Sequence, residues 1–155
     1  MSTSYEQAVR GLGEATGAKI EIGADRVAMV EVEGKVVLLR PSDEAEKGML
    51  AFAVVAQAEE DKPLAPSVFE KALELNLFGS GTGGGNLGLY GGTLVLSIAV
   101  PLAAGDTVAL AERLVAFARL AGEVEKALRE QTRSAQYGGE LDGFYDDVIN
   151  KVIIS

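Results

Sequence analysis

The sequence predicts an α+β domain in the order α-βββ-α-ββ-α, built on one twisted, mainly antiparallel five-stranded sheet. Three observations carry this. The 155 residues are enough for one domain with a real core and too few for two. Two blocks of short runs rich in Val, Ile and Leu, punctuated by Gly, Asp and Asn, read as strands. Three other segments repeat apolar residues at helical spacing: one before the first block, one between the blocks and one after the second.

Ser4 caps the first helix and forms a capping box with Gln7; Tyr5, Ala8, Val9 and Leu12 then recur on one face. Gly11 and Gly13 weaken this helix and Gly17 ends it. Strands follow near 19–22 and 26–32, the two forming one bent strand or separate ones, and then at 35–40 and 49–58, with turns at Gly23-Ala24-Asp25 and Glu33-Gly34. Residues 41–47 and 59–63 are polar loops. Pro66 suits a first helical turn, and Val68, Phe69, Ala72, Leu73 and Leu77 give a short helix that Asn76 and Gly79 close. Residues 79–92 hold 8 of the 19 glycines, which marks a connector. Strands at 86–90 and 93–100 pair through a Gly91-Gly92 hairpin turn. Asp106 or Thr107 caps a third helix ending near Glu130, with Val108, Ala111, Leu114, Val115, Ala118, Ala121, Glu125 and Leu128 along its stripe. Beyond this 1–130 domain, residues 131–155 read as a polar linker and an amphipathic appendix. In the appendix Phe144, Val148 and Val152 repeat beside Tyr145, Ile149 and Ile153.

Composition excludes several functions. The chain is 48% hydrophobic and 24% charged with a net charge of −9, and it contains no His, Cys or Trp. The commonest general base, the thiol nucleophile and nearly every soft-metal site are therefore missing. The acidic surface disfavours nucleic acid and anionic membranes as partners. The N-terminus has no signal-peptide pattern and no run is long enough to span a membrane, so the expected compartment is the cytoplasm. Gly79, Gly81 and Gly84 satisfy G-x-G-x-x-G, but they follow a helix and lead into a strand, the reverse of a phosphate site. Glu44/Glu46, Glu59-Glu60-Asp61 and Asp146-Asp147 lie in polar stretches and read as solvated faces. Ser80, Thr82 and Ser97 have no histidine partner. No catalytic residue, metal ligand or cofactor site is expected.

The strands carry the positive signal. A sheet with one wet face alternates apolar and polar residues, whereas Val36-Val37-Leu38-Leu39 and 49–56 are apolar on both faces. Two short helices and one long one cover a single face of five strands. The other face then meets a second subunit or a partner chain, unless loops and the third helix cover everything.

The run Val68-Phe69-Glu70-Lys71-Ala72-Leu73-Glu74-Leu75-Asn76-Leu77-Phe78-Gly79, the glycine segment, and Asn86-Leu87-Gly88-Leu89-Tyr90-Gly91-Gly92-Thr93-Leu94-Val95-Leu96 resemble the centre of the Tir chaperone (CesT-like) family, the class I type III secretion chaperones. Residues 5–130 follow that family's order of elements. The resemblance implies a secretion-chaperone-like fold and a cytoplasmic homodimer without enzymatic activity. It also implies that the chain binds the N-terminal chaperone-binding segment of a secreted effector, keeps it partly unfolded and delivers it to the secretion apparatus, its ATPase included. By the same resemblance the client surface takes Leu12, Ile20, Ile22, Val30, Val32, Val37 and Leu39, and the dimer interface takes Phe69, Leu73, Leu87, Leu89, Leu94 and Leu96. From the residues alone, a small α+β ligand-binding protein and a purely structural dimer remain the alternatives. Against the first, few polar groups converge in the strands to line a pocket.

Overall fold

The computed structural model of the chain describes residues 4–42, 48–102 and 107–135. The elements run α1 (Tyr5–Thr16), β1 (Ala28–Val32), β2 (Lys35–Pro41), β3 (Gly48–Gln57), α2 (Pro66–Asn76), β4 (Asn86–Tyr90), β5 (Thr93–Pro101) and α3 (Thr107–Ala135), with a 3₁₀ turn at Leu77–Gly79. All strand pairs are antiparallel, in the order β1-β2-β3-β5-β4. Among the described residues no strand pairs beyond β1 or β4, so both are edges.

Local chemistry sets these boundaries. The Ser4 hydroxyl accepts from the Gln7 amide at 3.3 Å while the Ser4 amide donates to Gln7 Oε1 at 3.1 Å, completing the capping box. Gly17 ends α1 in the left-handed region at φ 69°. Both hairpin turns need positive φ at two successive residues, supplied by Glu33-Gly34 (49° and 77°) and Gly91-Gly92 (55° and 80°). Asn76 closes α2 and also ties it to the sheet: its carbonyl accepts from Leu87 N at 3.0 Å and its amide donates to Leu87 O at 3.4 Å. In the glycine connector the buried Thr82 hydroxyl donates to Gly85 O at 2.8 Å. A Cβ on Gly85 would stand 2.5 Å from the Ser97 carbonyl oxygen, so the connector lies too close to β5 for any side chain there.

Strand alternation places the core on one face. Ala28, Val30, Val37, Leu39, Met49, Ala51, Ala53, Val55, Leu94, Leu96 and Val100 are buried against the helices. From α3 come Leu110, Leu114, Phe117, Ala121, Val124 and Leu128; from α1 come Tyr5, Val9 and Leu12; and from α2 come Val68 and Ala72. The Tyr5 hydroxyl donates to Leu39 O at 2.8 Å. Burial holds its pKa above the ordinary 10.0. The protonated phenol therefore contributes stability that is complete below that value and lost as pH rises through the folded-state pKa.

Several expectations shift. Residues 19–22 form no strand, only one bridge between Ile22 and Ala28, because Gly23–Val27 closes into a turn with Arg26 at φ 64°. The third helix continues to Ala135, since no Gly or Pro interrupts 131–135. Its buried stripe is rotated from the expected one: Val108 is 66% exposed, while Leu110, Phe117 and Val124 turn inward. The expected cap Asp106, the pairs Glu44/Glu46 and Asp146-Asp147, and the apolar stripe from Phe144 to Ile153 lie outside the described residues.

Candidate functional site

All three helices pack on one face of the sheet, so the apolar residues that alternate with the core form a second, open face. Its register is continuous: Met29 pairs with Leu38, Leu38 with Phe52, Phe52 with Ser97, and Ser97 with Asn86. The row crosses all five strands, apolar on β1 to β3 and polar on β5 and β4. Flanking it are Val36, Leu50, Val54 and Val95. Met29 is 62% exposed, Val36 47% and Val54 40%. Leu38, Leu50 and Phe52 are half-buried.

Ion pairs brace the helix side of the sheet. Arg119 of α3 donates to both Glu33 oxygens, at 2.9 and 2.8 Å, joining α3 to the β1–β2 turn. That fork holds the Glu33 carboxyl below the usual carboxylate range and raises the Arg119 pKa. Lys35 of β2 pairs with Glu125, which also accepts from Arg129 at 2.5 Å. Arg26 reaches Glu6 of α1 at 2.6 Å. The backbone amide of Glu6 and then Arg26 hold that carboxyl low. Among the described strand residues, the charged ones on the open face are Glu31 and Arg40, at its margins.

The residues expected to hold a client divide. Leu12, Val30, Val37 and Leu39 are buried in the core of their own subunit; Ile20 and Val32 pack half-buried against it, and Ile22 is 37% exposed. Along the strands the exposure alternates: Val30 faces the helices and Met29 does not, Val37 and Leu39 face the helices and Val36 and Leu38 do not. Without a helix anchor, Val36-Val37-Leu38-Leu39 reads the same in either phase. The signal was therefore the double-faced apolar run, not any single residue in it.

A second apolar surface lies where Asn76 ties α2 to β4. Leu73 is 71% exposed, Leu77 59%, Phe78 96% and Leu89 59%, whereas Tyr90, next along β4, shares the open-face side with Asn86. Phe78 sits in the left-handed region at φ 55°, a costly conformation for an aromatic residue. Of the residues expected at a dimer interface, Leu73 and Leu89 belong to this surface and Phe69 and Leu87 are half-buried beside it. Leu94 and Leu96 are instead buried beneath the helices, because β5 lies inside the sheet and presents Val95 to the open face.

Catalytic provision is thin. Among the described residues no three His, Cys, Asp or Glu side chains cluster to hold a metal, and no helix is long and apolar enough to cross a membrane. The Thr82 hydroxyl is occupied in its turn, and that of Ser97 donates to Asn86 O at 3.5 Å. A cleft of about 690 Å³ between the end of β3 and α3 is lined by Val55, Leu64 and Leu128 together with Gln57, Glu59, Lys62, Glu125 and Arg129.

Eleven chains of solved structures match this one. One is a chain of the HopA1-SchA chaperone-effector complex, with a TM-score of 0.54 and 15% identity over 81% of this chain and 93% of that one, a likeness of fold. No curated protein matches. The model of the Tir chaperone protein (CesT) family matches residues 7–125, well over half of the chain. A two-layer α+β subunit with an uncovered apolar sheet face and no catalytic centre among its described residues is what a holder of other chains requires, and by that match the chain belongs to the Tir chaperone protein (CesT) family.

Proposed function

We propose that this chain works as a type III secretion chaperone by holding the N-terminal segment of a secreted effector, extended and partly unfolded, across the open face of its sheet. The observation that carries this reading is the exposed row Met29, Leu38 and Phe52, bordered by Val36 and Val54 and lying next to the free edge of β1. An extended client gains main-chain hydrogen bonds by adding to that edge, and affinity from side chains laid on the apolar row; neither demands a particular client sequence. Binding competes with client folding by mass action, so no cofactor, nucleotide or catalytic residue is needed.

The surface of Leu73, Leu77, Phe78 and Leu89 is the homodimer interface in this reading. Pairing through it carries two open faces in one particle, so one long client engages both and gains effective concentration. The net charge of −9 keeps such a particle soluble in the cytoplasm until the client is handed to the secretion apparatus and its ATPase.

Co-expression with the N-terminal segments of secreted proteins tests the reading. One such segment is expected to co-purify in a stable complex. Failure of every secreted candidate encoded nearby to co-purify would overturn it.

A further inference from the structure

The two edges of the sheet are not equally free. Glu33-Gly34 and Gly91-Gly92 are two-residue hairpin turns, so the pairs that flank them, Val32–Lys35 and Tyr90–Thr93, are hydrogen-bonded, and every second residue back along β1 and β4 also bonds inward. The residues between, Glu31 on β1 and Leu87 and Leu89 on β4, therefore aim their main-chain N–H and C=O groups out of the sheet. On β1 an isolated bridge from Ile22 covers the start of the strand, at Ala28.

On β4 the middle of the edge is taken. Asn76, the last residue of α2, accepts from Leu87 N through its side-chain carbonyl at 3.0 Å and donates from its side-chain amide to Leu87 O at 3.4 Å. These are the two bonds that the facing residue of a sixth strand would make, so the Asn76 amide stands where that residue would lie. Of the two outward residues of this five-residue strand, Leu89 is left. The strand has no other guard: Asn86-Leu87-Gly88-Leu89-Tyr90 carries no charge and no proline, and its register with β5 has no bulge. Charges, prolines and bulges are the usual devices that keep an edge strand from pairing with another chain.

We propose that Asn76 decides which edge of the sheet accepts an added strand: its side chain fills the place of a neighbouring strand on β4 and leaves β1 as the receiving edge. The closure of β4 stands on the two hydrogen bonds alone. Its consequence, that an extended effector segment is directed to β1, rests on the reading that this chain receives its client by strand addition.

Titration of the full chain with a synthetic strand peptide, Lys-Val-Thr-Val-Thr-Val-Thr-Lys, followed by backbone amide chemical shifts, tests the proposal. All proteins in the titration carry Phe78→Gly, which keeps the neighbouring α2–β4 surface unpaired. With Asn76 in place the peptide should move the Glu31 amide and leave those of Leu87 and Leu89 unshifted. Asn76→Ala should bring both β4 amides into response, with binding there tightened about tenfold or more by the two main-chain hydrogen bonds that Leu87 regains. Adding Leu87→Pro removes the outward N–H without breaking a bond to β5, and should abolish the gain at Leu89 although α2 is released to the same extent. Unshifted β4 amides in the alanine protein would overturn the proposal, as would a Leu89 response with Asn76 in place. A gain that survives Leu87→Pro would overturn it too, because it would come from a loosened α2 and not from the edge. Should the alanine protein fail to fold, Asn76→Ser, whose side chain is too short to reach both Leu87 atoms, is read in the same way. No effector enters the titration, so failure of every secreted segment to co-purify would sink the chaperone reading and leave the closure of β4 standing.

Discussion

Replacing Phe52 with Asp is expected to abolish capture of an effector segment while leaving the subunit folded. Phe52 stands in the middle of the open row, between Leu38 and Ser97, and its side chain takes no part in the buried core. Burying an aromatic side chain under a client is worth about 1.5–3 kcal/mol, and placing an unpaired carboxylate there removes that gain and adds a desolvation cost. Together these exceed about 3 kcal/mol, a loss of more than about 100-fold in affinity. Val54→Asp, at a position already 40% exposed, should weaken capture in the same direction with still less effect on the fold. The contrast is Val37→Asp. That residue is fully buried beneath the helices, so the same substitution one position from Val36 should unfold the subunit. Binding measured by calorimetry and folding measured by circular dichroism separate the two outcomes. Normal capture by the Phe52→Asp protein would remove the open face from the account.

The second large effect is expected at the α2–β4 surface. Phe78→Gly should convert the proposed dimer to a monomer without loosening the subunit. The Phe78 side chain is 96% exposed, so its loss opens no cavity, and glycine relieves the strain of a φ of 55°. An aromatic anchor at the centre of an interface commonly accounts for 2 kcal/mol or more, about 30-fold in dimer affinity. Leu73→Asp should act in the same direction by placing a charge within the contact. Sedimentation equilibrium reads the result: the parent chain at twice the chain mass and both variants at the chain mass. A parent chain that sediments as a monomer at micromolar concentration would remove the dimer from the account.

Much of the fold was legible in the sequence because it rests on local chemistry. The Ser4–Gln7 capping box, the left-handed Gly17 and the two hairpin turns at Glu33-Gly34 and Gly91-Gly92 each have one dominant local solution, and the structure adopts it. Residues 19–22 misled because Lys19, Ile20, Glu21 and Ile22 alternate like a strand, while the turn that follows leaves them only the single Ile22–Ala28 bridge. The phase of α3 was similarly ambiguous, since Ala and Val are dense on several of its sides and only packing against β3 chooses Leu110, Phe117 and Val124. The candidate site was legible as a property and not as a set of residues. Strands apolar on both faces required an uncovered face, but which of Val36 or Val37 lies on it depends on where the helices pack, a long-range fact. Phe78 escaped notice for another reason: in sequence it continues the apolar face of α2, and only the 3₁₀ turn swings it out into solvent.

Amide hydrogen exchange on the chaperone, alone and with a captured effector segment, tests the central claim most directly. An extended client across the open face should slow exchange at the outward amides of the β1 edge, Ala28–Val32, and along β2 and β3, leaving the exposed surfaces of α1 and α3 unchanged. Protection confined to α1, α3 or the cleft at the end of β3, with the β1 edge exchanging as before, would contradict it.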